Sequence, residues 1–257
     1  MKTESTDLYE FINILLDIGE KLLLSGGEVS RVENTLSKMA EAYGTDKRSV
    51  FVITSNIVIS LSMPGGIYAT DTRRILKSAS TDFLCLEKLN AISREYCKNP
   101  VSNAELRRRT DECEIRVAPL AMWTGSILAA GAFSVFFGRS IADGAVAALL
   151  ALVICFFKTR VYKIIKYNLQ FNFLVSFVTG ILALVAAWFV PGVSADKVII
   201  GDIMLLIPGL AMTNSVRNIL AGDTISGVMR FVESLVWTLG LAIGIMLSIF
   251  VWGCIVK

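Results

Sequence analysis

Past Arg116 the chain runs apolar again and again for close to the roughly 20 residues that cross hydrocarbon as a helix, and this limits its fold more than any other feature. The first 116 residues hold 33 of the 47 charged side chains, and the remaining 141 hold only 14. Two different solvents therefore shaped one chain. The expectation is a small cytoplasmic α+β domain over residues 1–116, followed by an α-helical polytopic membrane domain over 117–257. About five transmembrane helices are read, at 119–137, 141–157, 169–190, 198–213 and 229–255. The second is short, and the fourth contains Asp202 and ends at Pro208-Gly209, the pattern of a broken helix.

Basic residues set the expected orientation. Arg107, Arg108, Arg109 and Arg116 precede the first span, Lys158, Arg160, Lys163 and Lys166 separate the second from the third, and Arg217 separates the fourth from the fifth. The other side receives Arg139, Lys197 and Lys257. The positive-inside rule then predicts a multi-pass protein of the cell inner membrane, amino terminus cytoplasmic and carboxy terminus external. The acidic, interrupted opening stretch does not read as a signal peptide. Cys85, Cys97, Cys113, Cys155 and Cys254 lack metal or disulfide spacing and are expected to be reduced. A net charge of +3 gives no reason to expect nucleic acid. Gly240 and Gly244 form a GxxxG, as expected for close helix packing within the chain.

In the first domain, apolar periodicity predicts a helix over 8–24, stopped by Gly26-Gly27, and a second over 28–43, capped by Gly44. The β-branched run from Val50 to Leu61 reads as strand, interrupted at Thr54-Ser55-Asn56 by a bulge or a turn. Met63 to Gly66 is a turn leading to a short strand over 67–70. Helices are expected over 81–97 and 103–115. Histidine is absent, which removes Ser-His and Cys-His pairs and imidazole relays. With no Walker or GxGxxG sequence either, no enzyme, cofactor or metal site is expected. The densest polar groups, Gly26, Gly27, Glu28 and Arg31 at a loop-to-helix junction, with Asn56 near a strand end, form a possible cytoplasmic ligand site; a capped helix end with Glu28 and Arg31 paired is the structural alternative.

The run from Ile207 to Glu233 puts a proline, two arginines, two carboxylates and three glycines into the apolar half. Polar, helix-breaking sequence between membrane spans lines a cavity or turns at the surface. Pro208, Gly209, Thr213, Asn214 and Arg217 are the expected substrate-binding residues, since broken helices recur at transporter sites and a guanidinium bonds both oxygens of a carboxylate. Asp202 and Glu233 are the candidates for proton coupling, burial being what tunes a carboxyl for it; structural pairing is the alternative for both. Gly222, Asp223, Gly227 and Arg230 are expected to organise a turn. Asp143 reads as a boundary residue.

LLLSGGEVSRVENTL (22–36), TSNIVISL (54–61) and PGLAMTNSVRNILAGDTISGVMR (208–230) resemble the bacterial threonine/serine exporter family over nearly the whole chain. The resemblance implies a cytoplasmic α+β domain joined to a polytopic membrane domain. It also implies secondary export of a small carboxylate-bearing metabolite, either a threonine- or serine-like amino acid or a dicarboxylate such as succinate. Full-length members resemble two consecutive membrane modules and this chain carries one, so the resemblance implies the split form, completed as a hetero-oligomer by a small multi-span membrane protein. The competing function is a membrane-anchored metabolite sensor or scaffold that regulates a partner transporter.

Overall fold

The structure is a computed structural model describing residues 2–76, 82–113, 119–162, 164–165 and 167–256. Arg116, Lys163, Lys166, Lys257 and the expected helix ends at Thr81 and Ile115 lie outside the described residues. The chain forms two compact units, Met1–Arg116 with Ala211–Phe231, and Val117–Leu210 with Val232–Lys257. Residues 211–231, read from sequence as part of the membrane half, thus pack with the amino-terminal residues.

In the first unit α1 (Lys2–Leu24) and α2 (Val29–Ala42) precede three strands, β1 (Lys47–Ile53), β2 (Asn56–Ser62) and β3 (Tyr68–Arg74), then α3 (Phe83–Lys98) and α4 (Asn103–Asp111). The interruption read at 54–56 is a hairpin turn: Ile53 pairs with Asn56, and β1 and β2 run antiparallel. The sheet order is β1-β2-β3, with β3 extending four residues past the expected strand. Those residues are polar and carry no apolar alternation. They are held partly by Arg73, whose guanidinium bonds Asp17 at 2.8 Å and Glu20 at 3.1 Å on α1.

Alternate residues of β2, Ile57, Ile59 and Leu61, are fully buried among Phe11, Leu15 and Leu36 from the helices. Each such side chain contributes about 1.5–3 kcal/mol relative to exposure. Phe11 stacks on Tyr43 with ring centroids 3.9 Å apart. Asp82 caps α3 by accepting from the Cys85 amide at 3.0 Å. On α4, hydrogen bonds from Arg108 and Arg109 hold the Glu105 carboxyl down at about 2.

Among the described residues, four helices are long and apolar enough to cross a membrane: Leu120–Gly138, Ile141–Val161, Asn168–Phe189 and Thr224–Ile255. They belong to α5 (Pro119–Gly138), α6 (Ile141–Phe156, continued by a π-helical turn over Phe157–Val161), α7 (Asn168–Phe189) and α10 (Thr224–Ile255). The expected fourth span is not one helix of crossing length. The segment 198–213 is divided between α8 (Ala195–Ile203) and α9 (Gly209–Leu220), separated by residues 204–208. Pro208 has no N–H to donate and its ring excludes a continuous helix through 204–208. The freed Leu205 carbonyl accepts from Lys158 Nζ at 3.1 Å.

Within the second unit, α7 and α10 lie side by side and parallel. A Cβ on Gly240 would fall 2.9 Å from the Leu169 carbonyl oxygen, and one on Gly244 2.5 Å from that of Phe173. Trp188 and Trp252 meet edge to face at the far ends of the same helices, 6.2 Å between centroids. The GxxxG therefore packs within the chain, where its missing side chains let two backbones approach. Asp143 is buried and accepts from the Ser194 amide at 2.8 Å, tying the start of α6 to the start of α8.

Candidate functional site

Two helix ends in the first unit are built alike. At the end of α1 the Gly26 amide donates to Leu23 O and the Gly27 amide to Leu22 O, with Gly26 at φ +91°. At the end of α9 the Gly222 amide donates to Ile219 O and the Asp223 amide to Asn218 O, with Gly222 at φ +96°. Both are Schellman closures that use a glycine in the left-handed region. The first delivers Glu28 to the start of α2; the second turns the chain from α9 into α10. Arg230 on α10 donates to the Leu23 carbonyl at 3.4 Å, adding a cation at the negative end of α1. Gly227 differs from its expected turn role. It lies inside α10, where a Cβ would come 2.8 Å from Ser215 O and 2.9 Å from Ile219 N, so it lets α10 cross α9 closely.

Between the α1–α2 turn, α3 and α9, all within the first unit, lies a cavity of about 230 Å³. Its polar lining includes Glu28, Arg31, Asn214, Arg217 and Asn218, with Leu22 and Phe83 among its apolar residues. The Glu28 side chain is 15% exposed. Its Oε2 lies 3.4 Å from Arg217 Nη2 and 3.6 Å from Arg31 Nε, ion-pair contacts that leave it without a hydrogen bond. Ser30 Oγ donates to the other oxygen at 3.3 Å. Arg217 stays 59% exposed, with donors to spare in its guanidinium.

Asn218 is 1% exposed, and neither its amide nitrogen nor its amide oxygen has a hydrogen-bond partner. Burying such a group unbonded costs about 1–3 kcal/mol. Sequence reasoning passed over it, although Asn214, Arg217 and Asn218 follow the i, i+3, i+4 spacing of one helix face.

The structure thus brings Gly26, Gly27, Glu28 and Arg31 together with Asn214 and Arg217, two groups read from sequence as separate sites. Other expected residues lie elsewhere. Asn56 begins β2, with a buried Oδ1 that lacks a hydrogen-bond partner. Pro208 and Gly209 stand at the start of α9 and belong to the second unit, and Thr213 is exposed on α9. Asp223 keeps one buried oxygen without a hydrogen bond at the α9–α10 turn.

Asp202, on α8 in the second unit, is 2% exposed and neither carboxylate oxygen has a hydrogen-bond partner. Glu233 departs from the burial expected of it and is exposed on α10. The contacts of α7 with α10 described above run from Trp237, whose carbonyl accepts from Asn172 at 3.4 Å, toward the carboxy end, and Glu233 precedes them. Among the described residues no group of three or more Cys, Asp or Glu is placed to hold a metal ion.

The family model described as "Putative threonine/serine exporter" matches residues 13–252. The chain is 22% identical over 241 residues to a "Probable threonine/serine exporter" of Mycobacterium tuberculosis (strain ATCC 25618 / H37Rv), an alignment that covers 93% of this chain and 45% of that one. It is 22% identical over 261 residues to a "Threonine/serine exporter" of Corynebacterium glutamicum, covering 96% and 52%. The chain therefore spans about half the length of the curated relatives it matches. No solved structure matches it.

Proposed function

Since this chain belongs to the threonine/serine exporter family, we propose that it is a subunit of a secondary membrane transporter that exports a small carboxylate-bearing metabolite without converting it chemically. The family match over 13–252 carries the reading, and four apolar helices of crossing length make the chain a membrane protein. The cargo is a threonine- or serine-like amino acid, or a dicarboxylate such as succinate. The relatives, named for threonine and serine, are about twice as long. We also propose that a small multi-span membrane protein partners the chain in the transporter.

Arg217 is the carboxylate-recognising group, because a guanidinium that remains largely exposed beside Asn214 in a cavity retains donors for a ligand. Thr213, Pro208 and Gly209 shape the approach at the start of α9. Asp202 is the stronger of the two proton-coupling candidates, since it is buried in the helical unit with no neutralising partner, whereas Glu233 is exposed.

The chain and its partner, reconstituted in vesicles loaded with labelled threonine or succinate, provide the test. Efflux of one of these is expected, reduced at least tenfold by Arg217→Ala at equal incorporation and slowed when the proton gradient is collapsed. Efflux of neither, under any gradient, would remove the export reading.

A further inference from the structure

We propose that Glu28 is a clasp on Arg217: its carboxylate holds α9 against the α1–α2 turn, and a cargo carboxylate opens this seam by taking the guanidinium in its place. The inference rests on the export reading of Arg217, and it makes Glu28 the residue that positions and restrains that arginine.

Within the first unit, the two sides of α9 are packed differently. On one side the missing side chain of Gly227 brings α10 against Ser215 O and Ile219 N, so α9 and the start of α10 form one tight hairpin. On the other side a cavity of about 230 Å³ separates α9 from the α1–α2 turn and α3. Protein interiors leave few voids larger than a water molecule, and atoms that face a void have few contacts to lose. Asn218, on the cavity wall, is 1% exposed with both amide atoms unbonded, and Glu28 Oε2 is buried without a hydrogen bond. Parting the seam would give these atoms water, so their burial weighs against the closed arrangement.

Charge holds it closed. Glu28 Oε2 lies 3.4 Å from Arg217 Nη2, and Arg230 Nη2 donates to the Leu23 carbonyl at 3.4 Å. The clasp is a weak form of its kind. A guanidinium binds a carboxylate best through two parallel N–H···O bonds, whereas Glu28 offers one oxygen at ion-pair range and accepts no hydrogen bond from Arg217. The Arg217 side chain is 59% exposed, so a free carboxylate can make the two-bond fork on its open side without reaching any buried atom. Glu28 then keeps Arg31, 3.6 Å away, as its counter-ion. A ligand that competes for Arg217 in this way favours the parted state by the difference between the two pairings.

The test uses the full chain in lipid nanodiscs with Asn218→Cys, and measures by peptide mass spectrometry how fast a maleimide labels position 218. Leu220→Cys, on the same helix and 83% exposed in the native residue, is the control. Labelling at 218 should be slow and at 220 fast. Adding Glu28→Gln should speed labelling at 218 at least tenfold and leave 220 unchanged, and adding threonine or succinate to the chain with Glu28 intact should do the same. The paired reversal Glu28→Arg with Arg217→Glu should restore slow labelling, which a folding defect would not. In vesicles, Glu28→Gln should lower the half-saturating cargo concentration at least threefold, because no internal carboxylate competes. The proposal is overturned if 218 is labelled as fast as 220 from the start, if Glu28→Gln leaves it slow, or if threonine and succinate both leave it slow. Faster labelling with Glu28→Gln and with either solute, but no efflux, would sustain the clasp and remove the export reading; efflux with labelling that nothing alters would do the reverse.

Discussion

A methyl group on Gly27 would lie 2.7 Å from the Leu22 carbonyl oxygen, closer than nonbonded atoms approach, and the neighbour is backbone that cannot swing aside. Gly44 makes a useful contrast: its φ is positive, +94°, but nothing lies within 4 Å of where its Cβ would sit. Gly44→Ala should therefore cost only conformational strain, about 1 kcal/mol. Gly27→Ala should cost about 1–3 kcal/mol through overpacking and should also shift Glu28, the next residue. Thermal unfolding of the two purified variants checks the order, and equal midpoints would contradict it. Both glycines were legible in the sequence as helix stops. The reason Gly27 must be glycine was not, because the Leu22 carbonyl comes back to meet it only once the α1 end has closed.

At the scale of elements, the helical periodicities and the strand-rich run located α1, α2 and the β1–β2 hairpin, since each buries a face whose apolar spacing is written locally. The segment 198–213 likewise carries its break in the sequence, at Pro208-Gly209. Its hydropathy suits a span, but Pro208 interrupts it, and the structure resolves it into α8, a turn and α9. Helix pairing is another property of elements. Gly240 and Gly244 set α10 against Leu169 and Phe173 of α7 in the same chain. Gly244→Leu is thus expected to destabilise the chain by about 1–3 kcal/mol while leaving its oligomeric state unchanged. Cross-linking and sizing in detergent distinguish this from a dimer interface, for which the substitution would dissociate the assembly.

At the scale of the molecule, the parallel arrangement of α7 and α10 supports one membrane topology. Two parallel crossings require the chain to return between them, and only α8, the turn and α9 lie between Phe189 and Thr224. With nine residues α8 rises about 14 Å, half of a hydrocarbon core of about 30 Å, so a return by this route is expected to be a broken one. If that segment crosses, the crossings are odd in number, which is what the positive-inside rule predicts for an inside amino terminus. A reporter active only outside the cytoplasm, fused after residue 257, should therefore be active, and one fused before residue 2 should be silent. Two silent fusions would mean that 190–223 does not cross.

Composition and periodicity by themselves determined that this chain has a charged α+β part and an apolar helical part, because burial in water and in lipid each select side chains residue by residue. They also marked Arg217 and Glu28 as groups in need of a reason. That the two stand 3.4 Å apart in one cavity was decided only by the tertiary structure, which returns residues 211–231 to the amino-terminal unit. Asn218 belongs to the same category. An asparagine reads alike whether it faces solvent or is buried unbonded, and the difference lies entirely in what packs around it.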